Sequence, residues 1–315
     1  MTASTKRILV GTAGWTDKTL IDSGRFYPPD AKSAESRLQY YASQFPMVEV
    51  DSSYYGMPSE HTAALWVERT PSGFTLDIKA FSALTQHPTP LRALPKDLRE
   101  ALPAALAEKK NVYYKDLPAE VREAVWERFA AALVPIADAG RLGVVLFQFP
   151  PWFLPGRESR AYIEEIKDRL ARYTPAIEFR NPYWLAEDNL EHTLGFLRSK
   201  KLPFVCVDEP QGTRASVPPV VSCTGPIALV RFHGHNREAW TKRGATVAEK
   251  YDYLYSMDEL SAWAPRIERL ADDARETHAI MNNCHDDKAV RNARELAAIL
   301  GQSPPLPGPG QRRLL

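Results

Sequence analysis

The stretch A-L-V-R-F-H-G-H-N, residues 228–236, decides how this chain is read. As a strand it sends Leu229, Arg231 and His233 to one face and Val230 and Phe232 to the other, because side chains alternate along an extended backbone. Buried strands of α/β proteins are normally apolar on both faces, so a strand that turns polar on one face towards its C-terminal end points to a site at that end.

The same signature recurs along the chain. Strands are predicted at 8–15, 47–54, 74–81, 142–149, 176–180, 203–209, 228–236 and 278–284. In the second, Glu49, Asp51 and Ser53 alternate with Val48 and Val50. In the third, Thr75, Asp77 and Lys79 alternate with Phe74, Leu76 and Ile78. The fifth is polar through Glu178 and Arg180, the sixth ends in Asp208-Glu209-Pro210, and the eighth ends in Asn282-Asn283.

Helical spacing falls between most of these strands. It runs through Leu38, Tyr41 and Phe45 after an N-cap at Ser33, through Val125, Phe129 and Leu133, and through Leu260, Trp263, Ile267 and Leu270 after the capping box Ser256-x-x-Glu259. Asp286 or Asp287 is expected to cap a last helix. The link 211–226 carries Pro218-Pro219 and no helical period, so the helix between strands six and seven is expected to be reduced or missing. Residues 82–120 hold five prolines and no sustained period, which reads as an insertion on the rim.

Eight strands separated by helices fit a TIM-type (β/α)8 parallel barrel better than an open doubly wound sheet, the alternative for such a pattern. One barrel domain is expected over 1–301, with 302–315, rich in Pro and Gly, as a disordered tail.

Composition narrows the function. Forty basic and thirty-nine acidic residues give a net charge of +1, so no global field draws the protein onto nucleic acid or anionic lipid. No apolar stretch is long enough to cross a bilayer, and M-T-A-S-T-K-R lacks the apolar core of a secretory signal, so a cytoplasmic protein is expected. Cys206, Cys223 and Cys284 are odd in number and widely spaced, which fits reduced thiols. No glycine-rich nucleotide fingerprint follows any strand and no cofactor is identified. Without H-E-x-x-H or clustered ligands a divalent metal is not favoured, and no metal ligand is assigned.

In such a barrel, inward residues near the strand C-termini line the mouth. Glu178, Asp208 and His233 are the candidates for moving protons, since carboxylates and imidazoles there have environment-tuned acidity. Trp15, Asp51, Lys79, Gln148, Arg180, Trp184, Arg231, Asn236 and Asn282 are the candidates for binding a small, polar and anionic ligand, with Arg231 expected to reach Asp208 on the neighbouring strand. The competing reading is an ion-pair network that satisfies itself inside the barrel. A second functional reading rests on residues 235–255, where Arg237, Lys242, Arg243 and Lys250 interleave with Trp240, Tyr251, Tyr253 and Tyr255. Such a loop suits a nucleic-acid-binding or metal-dependent phosphodiester-cleaving barrel, although it also suits a solvated rim loop.

Motifs spread along nearly the whole chain carry a family resemblance: G-T-A-G-W (11–15), V-E-V-D-S-S-Y-Y (48–55), L-G-V-V-L-F-Q-F-P-P (142–151), I-E-F-R-N-P-Y-W (177–184), V-D-E-P (207–210), V-R-F-H-G-H-N (230–236) and M-N-N-C (281–284). In these the chain resembles the DUF72, or YecE-like, family, whose function is uncharacterised. The resemblance implies a TIM-type barrel and no settled activity. Asp51 stands where the family is expected to favour Asn, and Cys284-His285 where a His-Tyr-like pair is expected.

Overall fold

The computed structural model describes residues 7–213 and 216–302. The expectation of a disordered tail therefore falls, except for Gln302, outside the described residues.

Eight parallel strands follow one another round the sheet: β1 (Ile8–Ala13), β2 (Met47–Val50), β3 (Thr75–Lys79), β4 (Leu142–Gln148), β5 (Pro175–Glu178), β6 (Val205–Asp208), β7 (Ile227–Phe232) and β8 (Glu276–Met281). β8 pairs with β1, and a single bridge between Ile177 and Phe204 joins β5 to β6, so the order closes into a barrel. The strands stop two to four residues short of most sequence-based ends because the chain turns as soon as it leaves the rim. After Val50, for example, a one-turn helix Ser52–Tyr55 begins. There the Ser53 hydroxyl donates to the carbonyls of Val50 and Lys79 rather than lining a strand face.

Seven longer helices surround the barrel: α1 (Ala34–Gln44), α2 (Glu60–Glu68), α3 (Ala119–Asp138), α4 (Arg157–Arg169), α5 (Glu187–Lys200), α6 (Met257–Asp273) and α7 (Lys288–Ile299). Ser33 and Ser256 close reciprocal capping boxes at α1 and α6, which meets backbone N–H groups that have no intrahelical partner. Asp287 sits at the N-cap of α7 without a side-chain capping bond. Among the described residues of 209–226 there is no helix, as the Pro-rich link predicts.

Outward strand residues pack on the helices. Phe232 meets Trp263 of α6 edge to face at 5.2 Å, and Phe179 stacks on Trp184 at 4.3 Å. The rim insertion is more ordered than its prolines suggest. It forms two short helices, Lys96–Glu100 and Ala104–Ala107, and an antiparallel pair of Thr89–Pro90 with Asn111–Val112, and it buries Leu94, Leu98, Val112 and Leu117 against the barrel's own core. No helix among the described residues is long and apolar enough to cross a membrane.

Candidate functional site

Register fixes what points at the barrel axis. Ala13, Glu49 and Asp77 are partners in register across β1, β2 and β3, as are Ile280 and Arg231 across β8 and β7. Parallel partners in register face the same way, so Asp77, Lys79, Glu49, Arg231, His278 and Asn282 all turn inward. They form two charged layers at different depths.

The lower layer is the floor. His278 is fully buried, with Nδ1 2.8 Å from Asp77 and Nε2 2.7 Å from Glu276, so both ring nitrogens face carboxylates. Burial alone would lower its pKa. The pull of Asp77 and Glu276 outweighs that and raises it to about 9, which leaves an imidazolium between two anions. The second oxygen of Asp77 accepts the Val144 N–H at 2.8 Å, and Glu276 also pairs with Arg7 at 2.6 Å. The register of β3 against β4 slips here, and Gly143 makes room for the carboxylate, since a Cβ at 143 would lie 2.1 Å from Asp77 Oδ1.

The upper layer is the mouth, centred on Arg231. This guanidinium is fully buried. It forks onto Glu49 through Nε at 2.9 Å and Nη2 at 2.6 Å, while Nη1 donates to Glu178 at 2.6 Å and to Gln148 Oε1 at 3.1 Å. The expected pairing of Arg231 with Asp208 does not occur. Asp208 is in register with outward-facing Phe232, so it turns away from the axis, and Glu209 is the acid that enters the barrel from β6. Asp208 instead accepts from the Tyr255 hydroxyl at 2.7 Å and pairs with His235 Nε2 at 2.9 Å, while His235 Nδ1 lies 3.1 Å from Glu259. The hydrogen bond to Asp208, against the effect of burial, raises the His235 pKa.

Arg180 bridges inward acids, 3.3 Å from Glu178 and 2.8 Å from Glu209, the latter an ion pair off the hydrogen-bond axis. Its guanidinium lies over the Trp240 ring at 5.1 Å. Lys79 reaches Asp51 at 2.7 Å and sits 4.8 Å above the Tyr54 ring. Burial works to raise the Glu178 carboxyl, but Arg231, His233 and Arg180 together hold it well below the carboxylate range. For Glu49 burial prevails over Arg231 and Lys79, so its pKa is raised and it is the more readily protonated of the two.

His233 is buried and neutral: burial, with Arg180, lowers its pKa to about 3. The Asn282 amide donates to Nδ1 at 2.8 Å, so Nε2 carries the proton and faces Glu178 at 3.3 Å. Both nitrogens of this proposed proton shuttle are thus occupied.

Three further residues named from the sequence, besides Asp208, lie elsewhere. Trp184 is fully buried in the outer core, stacked on Phe179 and Phe153, with its indole N–H on the Phe153 carbonyl at 2.7 Å. Asn236 caps the short helix Arg237–Thr241 and holds the 235–255 loop by donating to the carbonyls of Glu249 and Asp252. Trp15 is buried against Trp66.

The same loop turns its rings inward. Tyr251 lies 5.7 Å from His233 and against Trp240, Tyr255 is buried, and Lys242 is paired with Glu249. Trp240 and Tyr251 roof the mouth and Gly234, at φ 85°, starts the turn that brings the loop across. Its missing Cβ leaves room for Tyr253, which would otherwise lie 2.5 Å away.

His87, from the insertion, is a mouth residue without any periodic signal in the sequence. Its ring touches Tyr54 at 5.3 Å and Trp152 at 5.9 Å. The Thr85 hydroxyl donates to the Ser82 carbonyl, so at 2.8 Å from His87 Nδ1 it accepts, which places the ring proton on Nδ1 and leaves the lone pair on Nε2. Burial, then the charges of Lys79 and Arg180, lowers its pKa to about 4. Among the described residues no three His, Cys, Asp or Glu side chains are grouped so as to hold a metal ion.

The family described as "Protein of unknown function DUF72" matches residues 9–312. The UPF0759 protein YunF of Bacillus subtilis (strain 168) is 31% identical over 297 residues, covering 93% of this chain and 94% of that protein. Crystal structures of DUF72 family proteins superpose on nearly the whole chain. One from Enterococcus faecalis V583 does so with a TM-score of 0.77 at 25% identity, covering 97% of this chain and 99% of that one. Another from Thermotoga maritima MSB8 gives 0.73 at 27% identity, covering 94% and 100%. With the family matched from β1 to beyond α7, this chain belongs to DUF72.

Proposed function

We propose that the protein is a cytoplasmic enzyme that binds a small polar anion at the barrel mouth and performs acid–base chemistry on it, of hydrolase or isomerase type. The observation that carries this reading is the gathering of Lys79, Arg180 and the His87 imidazole above a buried raft of carboxylates and Arg231: Lys79 lies over the Tyr54 ring that His87 also touches, and each cation keeps 11% of its side chain exposed. Lys79 and Arg180 hold the anion. Gln148, whose oxygen is taken by Arg231, offers its amide nitrogen. Glu178 and Glu49 keep the cations in place, and His233, tied between Glu178 and Asn282, orients Glu178. The three free thiols fit a reducing compartment.

His87 Nε2 is the proton acceptor. At rest its low pKa makes it a weak base, in part because two cations face it. A bound anion offsets that field and brings the imidazole towards the working range of a general base, so ligand binding itself switches the base on. The test is an NMR titration of the His87 ring with and without saturating phosphate or malonate. The pKa should rise from about 4 by one unit or more with the anion, and Arg180→Met should raise it without one. A His87 titration that neither anion moves defeats this reading.

A further inference from the structure

We propose that a second cleft, beside the mouth, is a carbohydrate subsite that takes a neutral pyranose ring. The cleft has a volume of about 740 Å³, and its lining includes Tyr113, Lys115, Asp116, Trp152, Glu158 and Tyr162. This inference goes beyond the chemistry of the mouth and does not rest on it.

Two large aromatic side chains face this cleft while open to solvent: Trp152 is 56% exposed and Tyr113 39%. The Trp152 ring is held in place. The Trp152 indole N–H donates to the Gln86 carbonyl at 3.3 Å, and its ring packs on His87 at an interplanar angle of 72°. Gln86 presents that carbonyl from a left-handed backbone conformation, φ 63°, which non-glycine residues seldom adopt. On the other wall, the insertion that carries Tyr113 is anchored beside it. The buried Trp126 N–H donates to the Tyr114 hydroxyl at 2.9 Å, and Tyr114 packs on Tyr162 at 5.5 Å. Tyr162 in turn donates to the Leu84 carbonyl at 2.8 Å. The walls are held at fixed places while the aromatic surfaces stay uncovered.

The polar groups select the ligand. A pyranose ring offers an apolar C–H face that packs on an aromatic ring and a rim of hydroxyls that donate to acceptors. Asp116 and Glu158 supply such acceptors, and the hydroxyls of Tyr113 and Ser159 can give or take a hydrogen bond. Two carboxylates against one ammonium leave the cleft with an excess negative charge, which disfavours a nucleotide, whose base could stack equally well but whose phosphate would be repelled. Charge thus separates this cleft from the cationic edge of the mouth, and the His87 ring touches both Trp152 and Tyr54.

The experiment labels the tryptophans with nitrogen-15 and follows their seven indole N–H signals, with Trp152 assigned from Trp152→Phe. Cellotriose, chitotriose and maltotriose are titrated separately to millimolar concentration, and AMP is the control. The expected result is a saturable shift of the Trp152 signal with at least one trisaccharide. Affinity measured by ligand-observed NMR should fall at least tenfold in both Trp152→Ala and Asp116→Asn. Tyr113→Ala serves in place of Trp152→Ala should the latter fail to fold. The proposal is overturned by a Trp152 signal that no trisaccharide moves, by binding that persists unchanged in the folded variants, or by a response to AMP alone.

Discussion

The floor and the mouth of this barrel are built from the same kinds of residue on the same inward face, yet they serve different ends. On the floor, one imidazolium is enclosed by Asp77 and Glu276, with no part of His278 exposed and the second oxygen of Asp77 occupied by a backbone N–H. In the mouth, the innermost member, Arg231, is equally enclosed, but its neighbours reach outward: the Asp51 side chain is 30% exposed, and those of Lys79 and Arg180 are 11% exposed. A closed network contributes structure, whereas an open one keeps donors and acceptors that a ligand can use. Polar alternation therefore marks the axis of a barrel, and depth along that axis distinguishes a packed floor from a site.

The sharpest way to break this comparison is through the group they would share if the mouth were wholly open. Arg231→Met leaves Glu49 and Glu178 buried without their main counter-charge and should cost about 4 kcal/mol or more in denaturant unfolding, with part recovered in Arg231→Met/Glu49→Gln. A loss below about 1 kcal/mol would mean that water reaches even the bottom of the mouth.

Gly143→Ala probes the floor without removing a charge. The new methyl meets Asp77 Oδ1 at 2.1 Å and must displace that oxygen from the Val144 N–H, shifting the carboxylate that faces His278, at an expected cost of about 3 kcal/mol, read from the shift in denaturation midpoint. Near-neutral behaviour would show that the floor can relax, and that its tight closure is not what separates it from the mouth.

The two layers also differ in the sign of their pH dependence. His278 has a raised pKa of about 9, so its stabilisation is fully present below about pH 6.5 and is lost as pH rises through about 9, on the order of 3 kcal/mol in total. His233 is held neutral with a pKa lowered to about 3, so stability should fall as pH drops below about 6.5 and the unfolded chain takes up the proton. Melting curves of the wild type and of His278→Gln across pH 5–10 check this. The alkaline decline should flatten in the variant, and an unchanged slope would remove His278 from the account.

Much of this was legible in the sequence. Period-two alternation placed Glu49, Lys79, Glu178, Arg231 and His233 on inward faces, and capping residues marked Ser33 and Ser256 correctly. Asp208 was misplaced because D-E-P offers two adjacent acids and only the register of β6 on β7 tells which one turns inward. His278 carried a usable signal, since it lies on the same face of β8 as Ile280 and Asn282, but a strand alone does not reveal how deep a residue sits. His87 and Trp152 carried none. They are brought to the mouth and to the cleft beside it by an aperiodic insertion and a loop, whose positions depend on long-range packing rather than on local spacing.

The smallest expected effect decides most about the mouth. Lys79→Met removes a cation whose partner, Asp51, is exposed enough for water to solvate the freed carboxylate, so the loss should stay within about 1 kcal/mol. The methionine stem still covers the Tyr54 ring, which separates loss of charge from loss of packing. A double-mutant cycle with Asp51→Asn should return a coupling below about 1 kcal/mol, against about 3 kcal/mol or more for the Arg231–Glu49 cycle. In the same variant the rise in melting temperature that phosphate or malonate gives the wild type should disappear, because a ligand stabilises only in proportion to its affinity for the folded state. A Lys79–Asp51 coupling as large as that of Arg231–Glu49, together with no anion-induced stabilisation of the wild type, would make the mouth a second floor: a closed ion-pair layer at the other end of the barrel, with no role for a ligand.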